Sequence, residues 1–261
     1  MGQVCLVSGP PGCGKTTWVL ETLRQHQGSC AFLRLEGDRS EGLEQGVDGG
    51  IDPAWLKDQI PELISLQPSA SGEELHREAQ LTLIEVQQFR VPETLGLDGY
   101  GASVRERLDA LRLKPDQTLH FGRDSVLPTH DTLEFNKLEA WHINLQRSVW
   151  DPNSLSSFWF ELVNGAYGDV YRAKGLMNLP DGRAFLCNWM VSQQESQFLP
   201  LDGIAPDSER PDRPSALVVQ GKALEPRGIQ ATIDDCLLSD DVLALQQRHR
   251  QEQIPASSTQ G

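Results

Sequence analysis

The chain lacks a long hydrophobic run and a paired-cysteine pattern, and each absence excludes a class of protein. No apolar stretch approaches the roughly 20 residues that span a bilayer. The N-terminus has no basic segment followed by an apolar one, so no signal peptide is predicted. The five cysteines are odd in number and form no CxxC pair, which is typical of reduced thiols and not of a disulfide framework or a zinc knuckle. We therefore expect a cytoplasmic protein with no membrane partner.

Positive charge is also scarce. The 261 residues include 37 acidic and 23 basic side chains, for a formal net charge of −14, and no basic run stands out. Such a surface repels phosphate backbones, so nucleic acid is not expected as a partner. Apolar residues make up 38% of the chain, enough for one large domain or two modest ones.

The most informative segment is a glycine-rich turn near the N-terminus. Its sequence, GPPGCGKT from Gly9 to Thr16, matches G-x-x-x-x-G-K-[ST]. The apolar run Gln3–Ser8 before it predicts a buried strand, and the spacing of Lys15–Gln25 after it predicts a helix. A strand, this turn and a helix together predict a P-loop that binds a purine nucleoside triphosphate.

Each residue type in this loop has a chemical reason to be there. The glycines let successive N–H groups point at the β-phosphate, next to the positive end of a helix. Lys15 neutralises β- and γ-phosphate charge, the Thr16 hydroxyl is the expected Mg²⁺ ligand, and Thr17 lies beside the α-phosphate. The predicted nucleotide-binding residues are Gly9, Gly12, Cys13, Gly14, Lys15, Thr16 and Thr17.

P-loop proteins also place an acidic residue after a neighbouring strand, where it holds Mg²⁺ directly or through water. Glu85, which closes the apolar run Leu81–Glu85, is the best candidate. We predict Glu85 as a metal ligand and, with Lys15, as a catalytic residue. Glu36 and Asp38 follow another strand and either face the metal or belong to a polar loop.

Strands and helices alternate through the first half of the chain. Residues 31–35 predict a strand, residues 52–66 a helix capped by Asp52 and kinked or broken at Pro61, and residues 102–113 an amphipathic helix. Strands that alternate with helices and open on a glycine-rich turn predict an α/β domain with a parallel sheet.

The character of the sequence changes near residue 114. Residues 114–134 mix Pro115, Gly122 and Pro128 with one candidate strand at 118–121, and predict a linker. After it, Trp141–Trp150 predicts a half-buried strand, and Asp151 caps a helix that runs to about Asn164. Further strands are predicted at Asp169–Met177, Arg183–Val191 and Ala216–Gln220, with a helix from about Thr232. The predicted organisation is a P-loop domain at 1–113, a linker at 114–134, a small α+β domain at 135–247 and a disordered tail at 248–261.

Three segments of the second half resemble a known family. Asp169–Gly175 (DVYRAKG) is similar to the (V/I)-x-R-A-K-G strand of the CobW C-terminal domain, while Ser215–Gly221 and Ile233–Leu238 resemble its closing strand and helix. With the P-loop, the architecture resembles CobW-type GTPases, which are proposed metal chaperones. The resemblance implies GTP (or ATP) and Mg²⁺ as cofactors. It also implies a transition-metal cargo of unknown identity, a metal-dependent client protein and a homodimer.

The chain departs from this family at several positions. Gln88 stands where the family's E-x-x-G motif, mapped onto Glu85, has glycine, so sensing or hydrolysis of the γ-phosphate is expected to be impaired. The C-x-C-C metal motif is missing, which leaves His76 or His120 as alternatives to ordinary core or surface histidines. The guanine-reading N-K-x-D motif is only echoed at Asn136–Glu139. The short first domain indicates a reduced member of the family.

Two groups in the second domain allow two interpretations each. Arg172 and Lys174 share one face of a strand and either reach a nucleotide or partner, or pair with acids such as Asp169. The aromatic residues are predicted to form core rather than a binding surface. They are Trp141, Trp150, Phe158, Trp159 and Phe160.

The leading hypothesis is nucleotide binding with slow hydrolysis, coupled to metal handling or metallocofactor assembly. The alternative is a non-catalytic nucleotide-binding switch that acts on a protein partner. A small-molecule kinase would need arginine clamps and a lid, and an AAA-type ATPase would need an acidic residue before Glu85, where Ile84 stands.

Overall fold

The computed structural model describes residues 2–37, 50–66, 79–88, 95–96, 98–121, 139–193, 195–206 and 209–253. The chain divides into two compact units, Met1–Ala140 and Trp141–Gly261. The first contains a parallel sheet with helices and the second an antiparallel sheet with helices. The predicted fold class, a P-loop α/β domain followed by a small α+β domain, is confirmed.

The first unit is built around a sheet with the strand order β3-β2-β4-β1-β5. Each pair of neighbours in it is parallel, so the carboxyl ends of the strands meet at one edge. The elements are β1 Gln3–Gly9, α1 Lys15–Gln25, β2 Cys30–Glu36, α2 Ile51–Gln59, β3 Ile64–Leu66, β4 Leu81–Gln87, α3 Ala102–Ala110 and β5 Gln117–His120.

The central strands are apolar because helices cover the sheet. β1 and β4 are buried along almost their whole length, as expected for parallel strands covered on both faces. One face packs against α3, where Val104 and Leu108 join a cluster with Leu6 and Ile84. This cluster fixes the sheet that carries the predicted P-loop.

The helix predicted at 52–66 differs from the observed one at both ends. Gly50, with φ of 69°, is the N-cap of α2, and Asp52 lies in the first helical turn. The prediction that Asp52 caps the helix is therefore wrong, because its side chain is bonded to Thr16 and Arg34 instead. The helix ends at Gln59, since Ile60, the residue before Pro61, is not helical, with φ of −140° and ψ of 86°, and the chain continues as β3.

The segment predicted as a linker contributes a strand to the first sheet. β5 pairs in parallel with β1, and the Phe121 N–H donates to the Ser8 carbonyl at 2.8 Å. Residues 117–120 therefore belong to the sheet and not to a linker. Asp38, His76, the predicted linker after Phe121 and residues 136–138 of the guanine-motif echo lie outside the described residues.

The second unit contains a sheet with the strand order β6-β10-β7-β8-β9. The pairs β10–β7, β7–β8 and β8–β9 are antiparallel. Its elements are β6 Glu139–Asn144, α4 Pro152–Val163, β7 Asp169–Asn178, β8 Ala184–Met190, β9 Gln197–Pro200, β10 Ala216–Lys222, α5 Pro226–Cys236 and α6 Asp240–Gln253.

Helix α4 begins as the sequence predicts. The Asp151 carboxylate accepts from the Ser154 N–H at 2.9 Å, and Pro152 is the first helical residue. Its buried face supplies Phe158 and Trp159 to a core that also holds Trp150.

The aromatic group is not entirely core. Trp141 is partly buried against the cluster, but the Phe160 side chain is 67% exposed. The prediction of Phe160 as core is therefore wrong, because this residue falls on the outer face of α4.

The C-terminal elements extend further than the sequence predicts. α5 begins at Pro226, earlier than the predicted start near Thr232. α6 runs to Gln253, so residues 248–253 are helical where a disordered tail is predicted. Residues 254–261 lie outside the described part. No helix in the described ranges is both long and apolar enough to cross a bilayer, and all five cysteines are free thiols.

Candidate functional site

The turn between β1 and α1 has the backbone of an anion-binding loop. Gly12 and Gly14 have φ angles of 79° and 89°, in the left-handed region that only glycine adopts readily. Gly14 is the N-cap of α1 and has no side chain with which to cap it. The first N–H groups of α1 are therefore left for an anion, which the helix dipole also favours.

Lys15 is folded back onto this loop. Its side chain is 4% exposed, and Nζ donates to the carbonyl oxygens of Gly9 at 2.9 Å and Pro10 at 2.7 Å. Glu85 Oε1 lies 3.8 Å from the same ammonium. The structure therefore brings together the two residues predicted to be catalytic, with the ammonium bonded to the first two carbonyls of the loop.

The charges continue from Glu85 into the adjacent strand and helix. Glu85 Oε2 is 3.9 Å from Arg34 Nη1, and the Arg34 guanidinium also bonds to the carboxylate of Asp52. Thr16 Oγ1 donates to Asp52 Oδ1 at 3.1 Å. Two cations and two anions thus alternate in a buried series, which offsets much of the cost of removing each from water.

The strand register explains why this series forms. Arg34 on β2 is the direct neighbour of Glu85 on β4, which in turn is the neighbour of Val7 on β1. The first turn of α2 then places Asp52, which is 2% exposed, next to Thr16. Two strands, β2 and β4, and the starts of two helices, α1 and α2, therefore contribute to one charged cluster beside the P-loop.

Sequence reasoning missed Arg34 and assigned Asp52 to a helix cap. One signal was available for Arg34, because an arginine inside the otherwise apolar β2 (CAFLRLE) needs a buried counter-charge. The Asp52-Pro53 pair at the start of α2 is compatible both with a helix-capping aspartate and with an aspartate that belongs to a functional site. Its true role depends on how α2 packs beside α1, which no local pattern specifies.

Gln88 lies immediately after β4 and touches the P-loop. Its N–H donates to the Gly9 carbonyl at 3.0 Å, and its side chain fits against Gly37. The residue is 2% exposed, yet neither Nε2 nor Oε1 has a hydrogen-bond partner within the described ranges. Gln88 is therefore buried at the edge of the candidate site.

The other predicted residues divide between the loop and elsewhere. Cys13 is partly exposed on the loop and Thr17 is exposed in the first turn of α1, while the Glu36 side chain lies outside the described part. His120 is buried, and its Nδ1 shares a hydrogen bond with the Ser8 hydroxyl. In the described part of the chain, no group of three or more histidine, cysteine and acidic side chains is arranged to hold a metal.

Arg172 in the second unit pairs within its own sheet. Its Nη1 donates to Gln220 Oε1 on β10 at 3.3 Å. Lys174 lies on the same face and is buried at 7% exposure. Of the two interpretations, this geometry favours the one in which Arg172 bonds within its own sheet, here to Gln220 on the neighbouring strand.

The residues at the loop fit a triphosphate with Mg²⁺. The α1 amides and the Lys15 ammonium suit phosphate oxygens, and the Thr16 hydroxyl with nearby carboxylates supplies oxygen ligands of the kind that Mg²⁺ takes. Mg²⁺ is usually held by one or two protein groups together with phosphates and waters, so it needs no larger cluster.

A parallel sheet with this loop between its first strand and helix defines a P-loop type of fold. Within the second unit, residues 139–237 match the family model described as the cobalamin synthesis protein cobW C-terminal domain. Residues 139–237 are therefore similar to a CobW C-terminal domain, and the resemblance to that domain read from the sequence is confirmed.

Comparison with solved structures finds two of YjiA GTPase. A Zn(II)-bound triple mutant is 11% identical with a TM-score of 0.32, over 90% of this chain and 99% of that chain. The Zn(II)-bound protein from E. coli is 13% identical with a TM-score of 0.31, over 90% and 98% of the two chains. Scores this low support no conclusion about this chain. No curated protein gives a significant match.

Proposed function

We propose that this protein binds a purine nucleoside triphosphate, with Mg²⁺, at Gly9 to Thr17 and hydrolyses it slowly. The observation that carries the proposal is the buried Lys15 ammonium, held at the loop by two carbonyls and by Glu85. The match of residues 139–237 to the CobW C-terminal domain supports GTP as the nucleotide and metal handling or metallocofactor assembly as the task.

The residues at the loop define how the nucleotide would be held. The loop amides and the helix dipole bind the β-phosphate, and Lys15 exchanges its carbonyl partners for β- and γ-phosphate oxygens. Thr16 and Glu85 would hold the Mg²⁺, which would neutralise phosphate charge when bound. Glu85 also keeps Lys15 in place.

Nucleotide binding is tested by titration with fluorescent GTP and ATP analogues in the presence of Mg²⁺. A charged hydrogen bond contributes roughly 1.5–3 kcal/mol, so Lys15→Ala is expected to weaken binding about tenfold or more. Lys114→Ala is the control, because it removes the same charge from an exposed position. Equal affinity in native protein and Lys15→Ala would contradict the proposal.

A second candidate function is a non-catalytic nucleotide-dependent switch that acts on a protein partner. Gln88 favours it, because glutamine occupies the position where a glycine N–H would turn toward the γ-phosphate. Multiple-turnover hydrolysis of GTP separates the two functions. Phosphate release that continues beyond one equivalent supports the hydrolase, and release that stops at one equivalent or less supports the switch.

The metal-handling part of the proposal needs its own measurement. We expect zinc or cobalt to bind at substoichiometric to equimolar levels and to strengthen GTP binding. The metal content of purified protein and the GTP titration with and without each metal provide the test. If neither metal changes the affinity for GTP, the proposed metal handling would be contradicted, while the proposed nucleotide site would be unaffected.

A further inference from the structure

We propose that the side-chain amide of Gln88 donates a hydrogen bond to the γ-phosphate of a bound nucleotide. Gln88 would then determine how strongly the protein prefers a triphosphate over a diphosphate. This inference rests on the proposed function, because it requires a nucleotide at the P-loop.

The first support is the state of the Gln88 side chain. The residue is 2% exposed, and neither Nε2 nor Oε1 has a hydrogen-bond partner among the residues that the structure describes. A buried amide in this state costs stability, and a catalytic or binding role is one of the reasons for which folded proteins keep such a group. A ligand that reaches the amide would supply a partner that these residues do not.

The second support is the position of Gln88 next to the lysine of the P-loop. The Gln88 backbone N–H donates to the Gly9 carbonyl at 3.0 Å, and Lys15 Nζ donates to the same oxygen at 2.9 Å. The two residues therefore meet at the first residue of the loop. Lys15 is the group expected to neutralise β- and γ-phosphate charge, so Gln88 is a neighbour of the group that would meet the γ-phosphate.

The same hydrogen bond decides which atoms of Gln88 remain available. Because its backbone N–H is bonded to Gly9, the donors left on this residue are the two N–H bonds of Nε2. The impaired γ-phosphate sensing predicted from the sequence concerned a glycine N–H. The structure offers a side-chain donor in its place.

Gly37 determines where the amide lies. A Cβ added at Gly37 would lie 1.8 Å from Gln88 Oε1 and 2.9 Å from the Gln87 carbonyl oxygen, so the amide occupies space that a larger residue would fill. The Gly37 N–H donates to that carbonyl at 3.0 Å and joins the ends of β2 and β4. The amide is thus held at the carboxyl ends of parallel strands, the edge at which ligands of α/β proteins bind.

The chemistry of the two groups is complementary. The γ-phosphate is the part of GTP that GDP lacks, and its ionised oxygens accept hydrogen bonds that Nε2 can donate. A hydrogen bond to a charged phosphate is stronger than one between neutral groups. The amide would therefore stabilise a bound triphosphate and contribute nothing to a bound diphosphate.

The test compares the affinities for GDP and for the non-hydrolysable β,γ-imido analogue of GTP, measured by displacement of a fluorescent GDP analogue in Mg²⁺. The ratio of the two dissociation constants is the triphosphate preference. Gln88→Met removes the donor and keeps a similar shape, so it is expected to lower this preference about tenfold or more. Gln25→Met makes the same exchange at an exposed position of α1 and is expected to keep the native preference.

Gln88→Glu is the second variant, because it keeps the shape and replaces the donor with an acceptor that repels phosphate. It is expected to lower the preference at least as far as Gln88→Met does. Circular dichroism verifies that each variant is folded. An unchanged preference in either folded variant would overturn the inference, as would a native protein that binds GDP as tightly as the imido analogue.

Nuclear magnetic resonance observes the amide in the native protein. The ¹⁵N side-chain signal of Gln88 is assigned by its absence from the spectrum of either variant. It is expected to shift when the imido analogue replaces GDP. A signal that is the same in both complexes would overturn the contact. Absence of binding of both nucleotides to the native protein would instead overturn the proposed function on which the inference rests.

Discussion

Gln88 combines burial with an amide that has no hydrogen-bond partner in the described part of the chain. An unsatisfied buried polar group costs about 1–3 kcal/mol. We therefore expect Gln88→Met, which has a similar shape, to raise the free energy of unfolding by about 1 kcal/mol. Urea denaturation measures the change.

Gln87→Met is the matched control and is expected to destabilise the protein, because the Gln87 side-chain oxygen accepts a hydrogen bond from Arg34. A loss of stability in Gln88→Met would contradict this account of the amide.

Cys187 makes the stability of the protein depend on alkaline pH. Burial raises the pKa of this thiol from 9.0 to about 12. Above pH 9 the unfolded chain releases this proton while the folded chain keeps it, so the thiol's contribution to stability is complete below pH 9. It is lost as the pH rises toward 12, at about 1.4 kcal/mol per pH unit.

Urea denaturation between pH 8 and pH 11 tests this dependence. Native protein is expected to lose stability more steeply than Cys187→Ala, and the difference between the two slopes isolates the thiol from lysines and tyrosines that titrate in the same range. Parallel slopes for the two proteins would show that Cys187 does not titrate in this way.

The site residues that sequence predicts are those that lie close together along the chain. Gly9 to Thr17 forms one continuous motif, so residue types and spacing suffice to identify it. The partnership of Lys15 with Glu85 needs only the general rule that neighbouring parallel strands end at one edge. The positions of Arg34 and Asp52 in the charged cluster are not predicted, because they depend on strand register and on the packing of α2, which are properties of the folded unit.

At the scale of elements, helix α4 owes its start to one side chain. The Asp151 carboxylate accepts from both the N–H and the hydroxyl of Ser154, each at 2.9 Å. Loss of such a cap costs typically about 1 kcal/mol. Asp151→Ala is therefore expected to lower the thermal midpoint by several degrees, measured by circular dichroism. Asp151→Asn keeps an acceptor oxygen and should retain most of the stability. Equal losses in both variants would point to the charge and not to the cap.

Elements whose ends are marked by local sequence signals, such as capping residues and prolines, are predicted well. Elements that form only by pairing with residues distant in the sequence are not. α1 has the predicted bounds, and the Asp-Pro start of α4 is read correctly. By contrast, β5 is short and begins two residues after Pro115, and its identity as a strand comes from pairing with β1. α2 shows both effects. Pro61 marks its end, but the Asp52 side chain, predicted to cap its start, bonds to Thr16 and Arg34 instead.

At the scale of the molecule, charge opposes the arrival of a nucleotide. The chain carries a formal net charge of −14, and a triphosphate is itself strongly anionic. Salt screens such repulsion over about 10 Å at 0.1 M. We therefore expect the association rate of a fluorescent GTP analogue to increase when salt rises from 20 to about 200 mM.

Stopped-flow mixing at several salt concentrations measures this rate. The uncharged osmolyte sucrose, matched for osmolality, serves as the control for effects other than screening. A rate that falls with salt would mean that the field of Lys15 and the α1 amides outweighs the net charge of the molecule at the distances that govern encounter.

The charged series that connects Lys15, Glu85, Arg34, Asp52 and Thr16 also has a consequence for the order of folding. Its members come from β2, β4 and the starts of α1 and α2, so residues 16, 34, 52 and 85 must meet across long stretches of chain. Contacts of high sequence separation form late and slowly, because loop closure must precede them. A partly folded chain that has only paired β1 with its nearest neighbours lacks the complete cluster. The proposed nucleotide site is therefore complete only at the end of the folding reaction, so nucleotide binding, if the proposal holds, would distinguish fully folded chains from partly folded ones.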